Sequence, residues 1–347
     1  MKRILISLLS ILPLTFAACG GSNSGGGSAG GGGGSAGGGG STGNSDCTSS
    51  GGSNKALYVA NTVTVPQSKT DYAIDLNGDG RVDNQLGSIV NILKTEMLDV
   101  QMGVSQAVTA GTLVVLATET SSDATFQSDT CATTVIERGN STTTPPKYDG
   151  TDTFTAVTDG SGTFLGPITG GKFNSSSPVT TKNPVSLTLL LPLIAGAQPV
   201  ELDVQGGQIK YTRDASGAVT GGELHGFLTE ANVQAKVIPN VATLLTSKVG
   251  EANPTSTDMQ IGMIFDTGGT PSASCGNMTC ANPDGTCAVA GDKKIDICEV
   301  STSNLIQQVL APDVQMFQNG QYAPNAANTT KDSLSLGLSF TFVKASF

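Results

Sequence analysis

The chain has 347 residues, with 28 Asp and Glu against 18 Lys and Arg, a formal charge of −10, one His and no Trp. Phosphates repel an acidic chain, so nucleic acid and anionic lipid surfaces are poor partners. With aromatics at 5% and no Trp, the stacked rings of a carbohydrate-binding face are scarce as well.

The chain opens on Lys2 and Arg3, followed by an apolar run from Ile4 to Ala18 broken by Ser7, Ser10, Pro13 and Thr15. A basic start, a short apolar stretch and small residues at its end describe an export leader. The run is short of the roughly 20 apolar residues that a spanning helix needs. It ends Phe16-Ala17-Ala18-Cys19, which resembles a bacterial lipobox, with Phe16 where that family prefers Leu. The resemblance implies cleavage before Cys19, lipidation of Cys19 with palmitate-type acyl chains, and anchoring to a membrane through it. Residues 20–46 are almost entirely Gly, Ser, Ala, Asn and Thr. Such a stretch has no apolar surface to bury and reads as a flexible tether with a reach of about 30 Å. Gly20 follows the cysteine, where Gram-negative lipoproteins retained in the inner membrane carry Asp, so the resemblance points to the outer membrane or cell surface. Cleavage removes Lys2 and Arg3 and takes the formal charge from −10 to −12. Three segments result: a leader at 1–18, lipidated Cys19 with its tether to 46, and one β-rich extracytoplasmic domain at 47–347.

The elements of that domain follow in order. Lys55 to Val65 alternates as a strand, a turn-rich acidic loop occupies 75–84, and apolar residues from Leu86 recur at helical spacing over 85–97. Thr112 to Ala117 is a buried-strand candidate, and 138–150, with Pro145-Pro146, is a polar loop. Leu187 to Ile194, Val200 to Val204, Gln208 to Thr212 and Glu223 to Leu228 read as strands, with a hairpin turn at Asp214-Ala215-Ser216-Gly217. A helix kinked at Pro239 spans 229–248. Met259 to Phe265 reads as a strand, 301–310 as a short helix, and Leu334 to Phe342 as a long closing strand. Several strands with hairpin turns and few helices predict a mainly β fold: a β-sandwich with two or three helices packed on it, or alternatively an α+β fold in two pieces. The terminal Phe347 after an alternating strand resembles the assembly signal of outer-membrane barrels. Ser339, Thr341 and Ala345 stand where that signal wants large apolar residues, so a barrel is not expected.

Six cysteines remain beside Cys19: Cys47, Cys131, Cys275, Cys280, Cys287 and Cys298. An even number in an exported chain predicts disulfides, with at least one local bridge among the last four. Zinc is disfavoured, because there is no CxxC pair and no nearby His.

One motif carries chemistry. Asp75-Leu76-Asn77-Gly78-Asp79-Gly80-Arg81-Val82-Asp83 sets oxygen donors at alternate positions of a tight turn, the arrangement that Ca²⁺ requires. It resembles the calcium loop of EF-hands, dockerins and thrombospondin type 3 repeats. The resemblance assigns Asp75, Asn77 and Asp79 to the first three side-chain ligands, Gly80 to the turn, the Arg81 carbonyl to the backbone ligand, and Asp83 to the ligand that binds directly or through water. Leu86 stands where an EF-hand has its bidentate Glu, so this would be an isolated structural calcium site completed by water or a distant carboxylate, such as Glu299. A second segment, Gly291 to Glu299, matches only the latter half of such a loop, through Asp292, Ile295, Asp296 and Glu299. His225 falls within a strand and reads as structural.

No nucleophile elbow, zinc-protease helix or phosphate loop is present in the sequence. As a whole the chain resembles bacterial surface lipoproteins and is expected to be non-catalytic, with a calcium-stabilised fold. Two alternatives are an adhesin or ligand-binding receptor, with a cleft between the loops at 138–150 and 312–333, and a hydrolase with a dispersed carboxylate site. The protein or small-molecule ligand is not readable from the sequence.

Overall fold

The computed structural model describes Cys47 and residues 52–95, 99–175, 184–192, 199–252, 254–269 and 280–347. The leader, Cys19 and the tether lie outside them. The main sheet is built from β1 (Asn54–Thr64), β2 (Val115–Ser121), β3 (Ser128–Ser141), β4 (Phe154–Thr169), β5 (Lys172–Asn174), β6 (Leu187–Leu191), β7 (Val200–Arg213), β8 (Val219–Thr229) and β11 (Ser333–Lys344). The short strands β9 (Phe317–Gln318) and β10 (Gln321–Tyr322) form a separate hairpin.

The expected sandwich is overturned. Strands follow one another in the order β5-β4-β3-β2-β1-β11-β8-β7, and β5 pairs again with β7 through Lys172 with Thr212 and Asn174 with Lys210. The sheet therefore closes into an eight-stranded antiparallel barrel, and it is not an α+β fold in two pieces either. The first half of β7 carries β6 as an additional strand, in register from Leu187 with Val204 to Leu191 with Val200. A barrel removes sheet edges, and eight strands leave an interior that side chains can fill.

Alternation places the core inside. Tyr58, Ala60 and Val63 of β1, Ala117 of β2, Ile136 of β3, Phe164 and Ile168 of β4, Ile209 and Tyr211 of β7, and Leu334 to Phe342 at every second position of β11 are buried together. The other face of the same strands carries mainly Thr, Ser, Glu, Asp, Lys and Gln, with a separate buried apolar cluster of Val59, Val114, Leu116 and Phe154. Irregular registers between Ala60 and Thr62, Ile136 and Arg138, Gln205 and Gln208, and Phe340 and Phe342 bend the strands sharply, as bulges do where a sheet must curl.

Helices close one end. The expected helix at 85–97 is α1 (Gln85–Thr95), and α2 (Val100–Ala110) follows it. The sequence reading did not resolve α2, although Asp99 caps its start by accepting from the Met102 N–H, Gly111 ends it in the left-handed region, and Val100, Val104 and Val108 repeat every fourth residue. The expected kinked helix at 229–248 is α3 (Glu230–Asn232), a π-helical turn (Val233–Val237) and α4 (Ile238–Val249). The irregularity falls just before Pro239, which has no N–H to donate. Met259 to Phe265, expected as a strand, lies in α5 (Ser256–Phe265). There Thr255 and Asp258 form a reciprocal capping box, and Ile261 and Phe265, one helical turn apart, are the buried pair. The expected helix at 301–310 is divided between α6 (Ile297–Thr302) and α7 (Asn304–Val309). Strand β3 runs into the expected loop at 138–150, and β4 lies in a stretch the sequence reading left unassigned.

Two disulfides are placed, Cys47–Cys131 and the local Cys280–Cys298, and Cys287 is disulfide-bonded as well.

Candidate metal centre

The acidic loop lies between β1 and α1. Its two ends are tied by the Asp83 N–H, which donates to the Ile74 carbonyl at 2.8 Å. Leu76 anchors it, fully buried against Phe227, Val314 and Met316 on the outer surface of the barrel. Asn84 clamps its exit to β11: the Asn84 Nδ2 donates to the Gly337 carbonyl and its Oδ1 accepts the Gly337 N–H, both at 3.0 Å. The Gln85 N–H donates to Ser335 Oγ at 2.8 Å.

Within this frame the loop turns around its own carboxylates. Asp75 accepts from the N–H groups of Gly78 at 2.7 Å, Asp79 at 3.1 Å and Gly80 at 2.8 Å. Asn77 Oδ1 accepts from the Asp79 N–H at 3.2 Å, and Asp79 Oδ1 from the Arg81 N–H at 2.9 Å. Gly78 and Gly80 have φ of +82° and +84°, with open space where a Cβ would sit. Backbone conformation, not crowding, therefore requires glycine at both positions.

The result is a cluster of Asp75, Asp79 and Asp83, each offering a carboxylate oxygen within 4.8 Å of the others. Asp83 is pushed up to about 6, first by burial and then by the negative charge of Asp313, Asp79 and Asp75, against a Leu76 N–H that holds it down. Gathering carboxylates raises the cost of ionising them, and a bound cation would offset that cost. The donors are all hard oxygens, the set that suits Ca²⁺ rather than a thiophilic metal. Of the residues expected at the site, Asp75, Asp79 and Asp83 converge. Asn77 is buried, with its Oδ1 turned to the Asp79 amide, and Arg81 is exposed, its N–H on Asp79.

Sequence reasoning missed the group that approaches from elsewhere. Asp313 adds its negative charge to the surroundings of Asp83, its carboxylate accepting the Ser335 N–H at 2.7 Å and the Ser335 hydroxyl. Asn328 Nδ2 lies 3.4 Å from Asp79 Oδ2 and 3.3 Å from the Asp313 carbonyl. Asn328 Oδ1 is buried with no hydrogen-bond partner. Both come from the loop before β11, more than 200 residues away in sequence, and no local pattern marks them.

Glu299 does not reach the loop. Its Oε1 accepts the Gly268 N–H at 2.6 Å and its Oε2 the Asp296 N–H at 2.8 Å, so that Asp296 and Glu299 form the capping box of α6. Asp292 accepts from the Lys294 N–H. Segment 291–299 is thus a helix start, and among the described residues the only cluster of this kind is the one at 75–83. His225 is buried on β8, with Nε2 3.2 Å from a Glu223 carboxylate oxygen.

No protein-family model, curated protein or solved structure matches this chain.

Proposed function

We propose that this protein is an exported, lipid-anchored and non-catalytic β-barrel whose loop at 75–83 holds a structural calcium ion. The observation that carries the reading is the convergence of Asp75, Asp79 and Asp83 on a loop that is itself docked on the barrel wall. A cation here would tie α1, the β1–α1 loop and the segment around Asp313 to β11, so its role is to stabilise rather than to react. Anchoring through Cys19 is supported by the lipobox resemblance and by the alternation of the strands. Most apolar strand residues face inward, and the outer face is mainly polar apart from the patch of Val59, Leu116 and Phe154, unlike a barrel that spans lipid with a continuous apolar outer band. The exposed large apolar residues, Val82, Met102, Met259, Met263, Ile264 and Val289, all lie on loops or helices. Among the described residues no helix is long and apolar enough to cross a membrane.

The test is thermal unfolding of the full chain, disulfides intact, in millimolar Ca²⁺ and in EDTA. A ligand that binds only the folded state, at 100 times its Kd, adds about 2.7 kcal/mol. For a chain of this size that raises Tm by roughly 5 °C. Asp79→Ala should abolish the shift. An identical Tm with and without Ca²⁺ would reduce the loop to a hydrogen-bonded turn.

A further inference from the structure

Inside the barrel wall lies a line of cavities that the calcium site does not use. The first, about 30 Å³, is walled by carbon from Ala60, Val115, Leu224 and Leu338. The second, about 70 Å³ and wholly apolar, lies between the barrel and its helical cap, against Leu93, Val233, Val241 and Val309. The two share Leu86, Leu191, Leu202 and Leu336 as common walls. A third, about 100 Å³, shares Leu113, Val115, Ile136, Leu189 and Leu190 with the first and reaches the surface at Arg138, Asn140 and Thr188. Together they run from a polar mouth to an apolar end beneath α4 and α7.

The mouth has a structural cause. Strand β6 pairs with β7 alone, and among the described residues no strand pairs along its other edge. The wall is therefore seamed where β6 faces β3 and β4. Arg138 sits at that seam, opposite Val115 in the β2–β3 register and two residues from Ile136. The β2–β3 register is unbroken here, so Arg138 shares the face of Val115, which lines the first cavity. Its Nη2 donates to the Asp159 carbonyl at 3.2 Å, while its Nε is buried with no hydrogen-bond partner. A buried charged donor left without an acceptor is costly. An anionic head group at the mouth would supply that acceptor.

We propose that this line of cavities binds one unbranched, medium-length acyl chain, its tail under the helical cap and its anionic head on Arg138. The partly buried Leu189 and Leu190 of β6 shift aside as the chain passes.

Calorimetric titration of the full chain with laurate, and with the neutral dodecanol, tests this. The expected result is saturable one-to-one laurate binding. Arg138→Gln should weaken laurate about tenfold, the effect of losing one charge-assisted hydrogen bond, and leave dodecanol unchanged. Ala60→Leu, which fills the first cavity, should weaken both. Should Ala60→Leu fail to fold, the laurate-to-dodecanol contrast in Arg138→Gln still decides the question. Incubation with phosphatidylglycerol vesicles separates the sources: phospholipid recovered with the protein assigns the chain to a membrane lipid, and laurate binding without such recovery assigns it to the free acid. If neither laurate nor dodecanol saturates the protein and no lipid is extracted, or if Arg138→Gln weakens neither probe, the proposal is overturned.

Discussion

Arg213 is the residue whose surroundings least resemble what its local sequence implies. It precedes an Asp-Ala-Ser-Gly turn, where a charged side chain normally faces water, yet its side chain is 2% exposed inside the barrel. Its Nε donates to Tyr58 Oη at 3.1 Å, its Nη1 to the Phe126 carbonyl at 3.0 Å, and its Nη2 pairs with Glu119, which is 1% exposed. The guanidinium carbon also lies 5.2 to 5.9 Å from the ring centroids of Phe126, Tyr211 and Tyr58. A charge so enclosed tolerates no loss of its partner. Replacing Arg213 with Met strands the Glu119 carboxylate and should cost about 3–5 kcal/mol in urea unfolding. The Arg213→Met, Glu119→Leu double variant should recover most of that loss, because the burial penalty disappears with the second charge. A double variant no more stable than the single one would mean that the packing of the rings around Arg213, and not the charge pair, sets the cost.

At the scale of elements, the decisive contact is between the β1–α1 segment and β11. At Gly337 a Cβ would sit 1.9 Å from the Tyr72 carbonyl oxygen, so only glycine lets the segment lie this close to the strand. Gly337→Ala should lift the segment, cost about 1–3 kcal/mol by overpacking and weaken calcium binding in the same protein. Titrating the variant with Ca²⁺ checks the coupling, and unchanged affinity would show that the loop holds its shape without the strand. This scale also explains the misread elements. The run Met259 to Phe265 is apolar at nearly every position, and a short run of that kind fits a strand or a helix equally well. Its partners choose: Ile261 and Phe265 face the core while Met259 and Met263 face out. Strands β3 and β4 escaped notice because Thr, Ser and Gly dominate them, and only Ala132, Ile136, Phe164 and Ile168 mark their inward face.

For the whole molecule, the proposed function puts the membrane anchor at Cys19. Replacing Cys19 with Ser should release the protein from the membrane fraction and abolish incorporation of a labelled palmitate analogue. Retention in that fraction would place the anchor elsewhere. The Cys47–Cys131 disulfide fixes Cys47 on β3.

What the chain determined by itself was local. The loop at 75–83 could be read because Asp75, Asn77, Asp79 and Gly80 act within one turn of backbone, and the hairpin at 214–217 because Asp214 and Gly217 are the turn. The helices starting at Gln85 and Glu230 were likewise legible from their own periodicity. Barrel closure was not, since an alternating strand looks the same whether its inner face meets a second sheet or the far wall of its own. The short pairing of β5 with β7, and that of β1 with β11 across nearly the whole chain, decide between them. The same holds for Asp313 and Asn328 at the metal loop and for Arg138 at the seam. Each acquires its meaning from a neighbour distant in sequence, and only tertiary packing brings such neighbours together.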